Sequence, residues 1–156
     1  MKIERRFTVE GKSPYAAVPF RTATSEIRNP DGSTVFRLEG FDVPANFSQV
    51  AADVLAQKYF RKAGVAAVLK PVRETGVPRW LWRSVPDDKA LDNLPEDTRF
   101  GGETCAKQVF DRLAGAWTYW GWKGGYFSDE SDARAYFDEM RYMLAAQMAA
   151  QNVSDY

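Results

Sequence analysis

The sequence predicts an α+β fold: an N-terminal β-hairpin region packed on about three main α-helices, with a long proline-rich irregular connection between them. Three observations carry this. An Asn-Pro-Asp-Gly turn separates two β-prone runs near the N-terminus, three later stretches repeat apolar residues at helical spacing, and Pro71, Pro78, Pro86 and Pro95 interrupt the chain between the first and second of them.

Residues 2–9 alternate loosely through Ile3, Phe7 and Val9, which reads as a short strand or an extended arm. Ser13-Pro14 and Val18-Pro19 keep the next stretch non-helical. Residues 22–28 and 33–38 then flank Asn29-Pro30-Asp31-Gly32, with the residue preferences of a type I turn, so they form a hairpin that pairs Ile27 with Val35 or Phe36. Asn46 is placed to cap the first helix, with Gln49 reaching back to it. Phe47, Val50, Ala51, Val54, Leu55 and Tyr59 form that helix's apolar stripe, and Gly64 stops it. Lys58, Arg61 and Lys62 suit the negative end of a helix better than a phosphate site. Within the connection, Trp80-Leu81-Trp82 is an apolar anchor, because two exposed tryptophans would make an apolar patch. Residues 86–102 are the expected mobile segment, anchored only by Leu91, Leu94 and Phe100.

The chain is organised around residues 104–127, TCAKQVFDRLAGAWTYWGWKGGYF, which hold three of its five tryptophans. Ala106, Val109, Phe110, Leu113, Trp117 and Trp120 share one helix face, and Gly121, Gly124 and Gly125 let the backbone turn after it. The plain reading is a core helix and a packed turn. The sharper one makes Trp117, Trp120, Trp122, Lys123 and Tyr126 an interaction surface, with rings stacking on a base or partner and Lys123 supplying a cation. In the last helix Ser128 is the expected cap, Asp129 and Glu130 lie in the first turn, and Ala133, Tyr136, Phe137, Met140, Leu144 and Met148 form a stripe that pairs with the preceding helix as a hairpin. Glu130, Asp132, Asp138 and Glu139 invite assignment as paired catalytic carboxylates, but off the stripe they read as its solvated side. Residues 1–150 are expected to form a single domain and residues 151–156 a frayed tail.

Composition excludes much chemistry. Lysine plus arginine and aspartate plus glutamate number 21 each, so no net field draws duplex nucleic acid or an anionic membrane. No apolar run is long enough for a bilayer, and the basic start has no apolar region behind it, so a cytoplasmic protein is expected. The chain has no histidine, which removes imidazole bases and histidine metal sites. Its single cysteine, Cys105, can form neither an internal disulfide nor a thiolate cluster. No Walker loop or GxGxxG is present. No catalytic, cofactor-binding or metal-binding residue is therefore assigned.

The stretches MKIERRFT, SPYA, ATSEIRNPDGS, SQVAADVLAQKYFRKAGV, WLWRSVP, QVFDRLAGAWTYWGWKGGYF and DARAYFDEMRYMLAAQMAA resemble the N-terminal region of the adenosylcobalamin-dependent (class II) ribonucleotide reductases. The resemblance implies a family that reduces ribonucleotides by radical chemistry. Homolysis of the cobalt–carbon bond makes a cysteine thiyl radical inside an α/β barrel, a cysteine pair supplies the electrons, and that machinery lies downstream of the region matched. In the family the last helix runs into a Pro-Asn-Ser-Pro-Gln-Trp-Phe-Asn segment that opens the barrel; here Gln151, Asn152, Val153, Ser154, Asp155 and Tyr156 follow, and Val153 stands in the place of the serine.

The resemblance therefore implies an accessory domain without the catalytic barrel, inactive alone and holding no cofactor itself, which docks to a ribonucleotide reductase catalytic polypeptide. Two readings of other kinds stand beside it: a small regulatory module that binds a nucleotide or single-stranded nucleic acid on its aromatic loop, and a remnant without present function.

Overall fold

The computed structural model describes residues 1–150, and the expected tail at 151–156 lies outside the described residues. Strands β1 (Phe20–Arg28) and β2 (Thr34–Pro44) form the antiparallel hairpin, closed where the Gly32 amide donates to the Asn29 carbonyl at 2.9 Å. The register places Ile27 opposite Phe36. β2 runs past the expected end at Leu38 because Gly40 forms a bulge: Ala23 faces Phe41 while Thr24 faces Glu39, and Gly40 takes the extra place at φ 69°. Beyond the bulge, Phe41 and Val43 are fully buried.

The first helix, α1 (Gln49–Val54), is capped by Ser48 and not by Asn46: the Ser48 hydroxyl accepts from the Ala51 amide. The Gln49 amide group is thereby free to donate to the Thr24 carbonyl and to Asp53, each at 2.9 Å, which ties the helix to β1. α1 passes into a π-helical turn, Leu55–Tyr59, and ends before Gly64 because Phe60 turns inward, its ring packing edge-on against Phe41 at 5.5 Å. Of the expected stripe, Leu55 is buried, whereas Val50 and Val54 are exposed.

The connection is irregular as expected, with no element longer than four residues. β3 (Val65–Ala66) pairs with β6 (Phe100–Gly101), and β4 (Leu69–Pro71) pairs with β5 (Ser84–Pro86). The single turn α2 (Asp88–Leu91) is capped by Asp87 and buries Leu91, while Phe100 is exposed. The tryptophan anchor is real: Trp80 stacks on Phe137 at 5.7 Å, Leu81 is buried, and the Trp82 indole donates to the Val77 carbonyl at 2.8 Å.

Helices α3 (Ala106–Lys123) and α4 (Glu130–Ala145) pack side by side as the expected helical hairpin. α3 runs straight through Gly121, which serves packing: a Cβ there would lie 2.7 Å from the Phe127 ring. The turn is made later, by Gly125 at φ 71°. The cap of α4 is Asp129, whose carboxylate accepts from the Asp132 amide at 2.9 Å; Ser128 instead receives the N-terminal ammonium at 3.1 Å. α4 stops at Ala145, so Met148 leaves the stripe and is exposed. Val109, Phe110 and Leu144 join Phe41, Val43 and Phe60 in the main core.

Gly121→Ala is expected to lower stability by about 1–2 kcal/mol despite alanine's helix propensity, because the Phe127 ring must move. Gly115→Ala, whose added Cβ would meet Phe137 at an ordinary 3.8 Å, is expected to raise it. Urea unfolding of the two variants checks both signs.

Candidate functional site

The carboxylates on the second side of α4 are structural. Asp132, Asp138 and Glu139 are all buried, which corrects the solvated-face reading; only Glu130 stays exposed, accepting from the Trp80 indole at 2.9 Å. What covers the others is the N-terminal arm, which is extended and forms no strand. Asp132 accepts from the Ile3 amide at 2.7 Å. Glu139 accepts from the amides of Arg6, Phe7 and Thr8 and from the Thr8 hydroxyl, at 2.7–3.2 Å. Asp138 meets three guanidinium groups: Arg5 at 2.8 Å, Arg134 at 3.2 Å and Arg141 at 2.6 Å. Arg141 continues to Asp111 of α3, which also accepts from the Tyr15 hydroxyl at 2.7 Å. Burial, then the Asp111 charge and hydrogen bond, raise the Tyr15 phenol well above its ordinary range, so it stays a donor. Every carboxylate here is engaged by protein donors, an arrangement that suits anchorage rather than proton transfer.

The aromatic residues divide into two groups. Trp117 packs against the core, Trp122 donates its indole N–H to the Gly76 carbonyl at 2.7 Å, and Lys123 pairs with Glu74 at 3.0 Å. Hydrogen bonds from Lys123 and then Tyr119 hold the Glu74 carboxyl below its ordinary value. Trp120 and Tyr126 remain open, 65% and 66% exposed. Trp120 therefore departs from the buried stripe expected of α3, while Ala114 and Thr118 lie fully buried.

The feature that sequence reasoning missed is a groove of about 370 Å³ between α1, α3 and the end of α4, lined chiefly by Val54, Leu55, Val109, Leu113, Leu144 and Ala149. Its walls are fixed from behind. The Arg112 guanidinium of α3 binds buried Glu103 at 2.8 Å and also donates to the Tyr59 carbonyl, locking the π-helical turn against α3. Each lining residue was readable as part of a stripe, but no local signal tells that two stripes meet and leave a gap.

Cys105 sits at the N-cap of α3, where its amide donates to the Gln108 side chain at 3.0 Å. Among the described residues no group of three or more aspartate, glutamate, histidine or cysteine side chains could hold a metal ion, and no helix is long and apolar enough to cross a membrane.

The described residues thus form an α+β domain with an apolar groove built from several elements. Comparison with known proteins gives its family. The model of the class II vitamin B12-dependent ribonucleotide reductases matches residues 21–147. The vitamin B12-dependent ribonucleotide reductases of Bradyrhizobium diazoefficiens and Agrobacterium fabrum are each 67% identical over 152 residues, and that of Streptomyces clavuligerus is 28% identical over 153. Each match covers 97% of this chain. The chain belongs to the class II vitamin B12-dependent ribonucleotide reductase family and corresponds to its N-terminal domain. It spans 12% of the length of these relatives. The family name implies a cobalamin. The groove does not fit one: its lining is almost wholly aliphatic and aromatic and offers little to the polar amides that fringe a corrin ring.

Burial raises the Glu139 carboxyl, but the hydrogen bonds from Thr8, Phe7 and Arg6 together outweigh it and hold the group below its ordinary value. A depressed folded-state value means that this stabilisation is full above the ordinary carboxylate range and is lost as pH falls through the folded-state value. Hydrogen exchange should show the amides of Arg6, Phe7 and Thr8 losing protection on acidification. Glu139→Gln should expose them already near neutral pH, with stability lowered by about 1–3 kcal/mol.

Proposed function

We propose that this chain is an accessory domain of a vitamin B12-dependent ribonucleotide reductase, acting in the cytoplasm by docking against the catalytic polypeptide and performing no reduction itself. The observation that carries the reading is the preformed apolar groove in a chain that matches an eighth or so of proteins named for that activity. The same contact serves whether accessory and catalytic parts are one polypeptide or two.

Chemistry supports the division of labour. Replacing a ribose C–OH by C–H and releasing water consumes two electrons, which a dithiol supplies by closing to a disulfide. One cysteine cannot close such a bond within the chain, and Cys105 is half-buried at a helix cap. The thiols and the cobalamin are therefore assigned to the catalytic part.

Exposure of Trp120 and Tyr126 favours a second reading, in which these rings stack on a nucleotide base, worth about 1–3 kcal/mol per base. Tryptophan fluorescence titrated with nucleotides tests it, and a flat titration removes it.

Gel filtration of the chain mixed with a family reductase polypeptide that lacks the matched N-terminal stretch should show co-elution at micromolar concentration. Separate elution contradicts docking. Ribonucleotide turnover by the chain alone, with adenosylcobalamin and a dithiol added, contradicts the assignment of chemistry to the partner.

A further inference from the structure

We propose that the groove between α1, α3 and the end of α4 is the seat of docking, and that its occupant is an apolar segment of the catalytic polypeptide. The inference rests on the docking reading above and adds the surface and the chemistry of what fills it.

The lining residues Val54, Leu55, Val109, Leu113 and Leu144 present aliphatic surface from three separate elements. At the groove's edge the lining residue Val54 is 47% exposed, and Ala150 is exposed as well. An apolar side chain left in water at the edge of an apolar lining extends that surface outward, as a face matched to a partner does. A volume of about 370 Å³ accommodates a few apolar side chains. The groove is also rigid, because Arg112 holds the π-helical turn to α3 and Gln49 holds α1 to β1, so binding orders little of this chain. An interrupted helix of the π type is itself frequent at functional sites.

The relatives indicate the occupant. Ala149 and Ala150 line the groove, so the backbone leaving α4 passes along its lip. In the relatives the matched stretch is 12% of the polypeptide, in its N-terminal region, so most of each relative lies beyond it, and we assign the catalytic part there. A segment of that part reaches the groove over a short tether, at a high effective concentration. Charge is not what recognises it, because the lining carries no ionised group. Aliphatic and aromatic side chains are.

The test is a binding titration of the labelled chain with a family reductase polypeptide lacking the matched stretch and shown to be monodisperse. Val54→Glu, and separately Ala150→Glu, should weaken binding by at least about tenfold, since each places a carboxylate against the apolar partner. Trp120→Ala should bind as the parent does. Both glutamates replace exposed residues, so thermal melts should stay close to the parent's; if Val54→Glu misfolds, Ala150→Glu decides. Parent-like binding by folded glutamate variants overturns this inference and leaves docking standing elsewhere on the surface. A parent dimer that Val54→Glu dissolves overturns it in favour of a second copy as occupant. Failure of the parent chain to bind overturns the docking reading and this one together.

Discussion

Asp138, with 2% of its side chain exposed, is the charge on which the assembly of this domain turns. A carboxylate taken so far from water is tolerable only where opposite charge and hydrogen bonds surround it, and here three guanidinium groups do so. One comes from far away in the chain, Arg5 of the N-terminal arm, and two, Arg134 and Arg141, from neighbouring turns of α4 itself. Arg141 also reaches Asp111 on α3 and lies 3.7 Å over the Phe137 ring. One buried anion thus fixes the arm, both long helices and, through Tyr15, the loop that precedes the hairpin. Replacing such a network by apolar groups can be neutral for stability, whereas removing a single member strands the others. Its contribution is to specify one arrangement.

The arm shows what that specification achieves. Residues 1–8 make no sheet, so their amides need acceptors from elsewhere, and α4 supplies them as carboxylates. With the Met1 ammonium donating to the Tyr126 carbonyl at 2.8 Å, the arm runs along α4 from its start. α4 is consequently covered on two sides, by α3 and by the arm. Among the described residues, what stays open lies at its far end, where α1, α3 and the end of α4 enclose the groove. The domain offers a rigid apolar seat at one place and two exposed aromatic rings, Trp120 and Tyr126, at another.

Much of the fold was legible because its causes are local. The hairpin follows from the Asn29-Pro30-Asp31-Gly32 turn, and the helical pair follows from Ala106, Val109 and Phe110 answered by Ala133, Phe137 and Leu144. Errors arose where one residue type has two uses. Gly121 reads as part of the turn but serves a close ring contact; Asn46 and Ser128 read as caps one or two residues too early. The buried carboxylates were missed because their partners lie about 130 residues away in the chain. A signal was present nonetheless. Asp132, Ala135, Asp138 and Glu139, and Tyr142 repeat at helical spacing as a second stripe, and Arg5 and Arg6 supply basic residues to answer it. The groove had no such signal, since periodicity reveals that a face is apolar and not whether anything covers it.

The central claim is that this domain acts through an uncovered apolar seat and not through chemistry of its own. Amide hydrogen exchange on the chain, with and without the catalytic polypeptide, examines it residue by residue. The account predicts slowed exchange along residues 50–59 and around Leu113, with the amides near Trp120 and Tyr126 unchanged. Protection confined to the Trp120–Tyr126 end, or none anywhere despite complex formation, would contradict it.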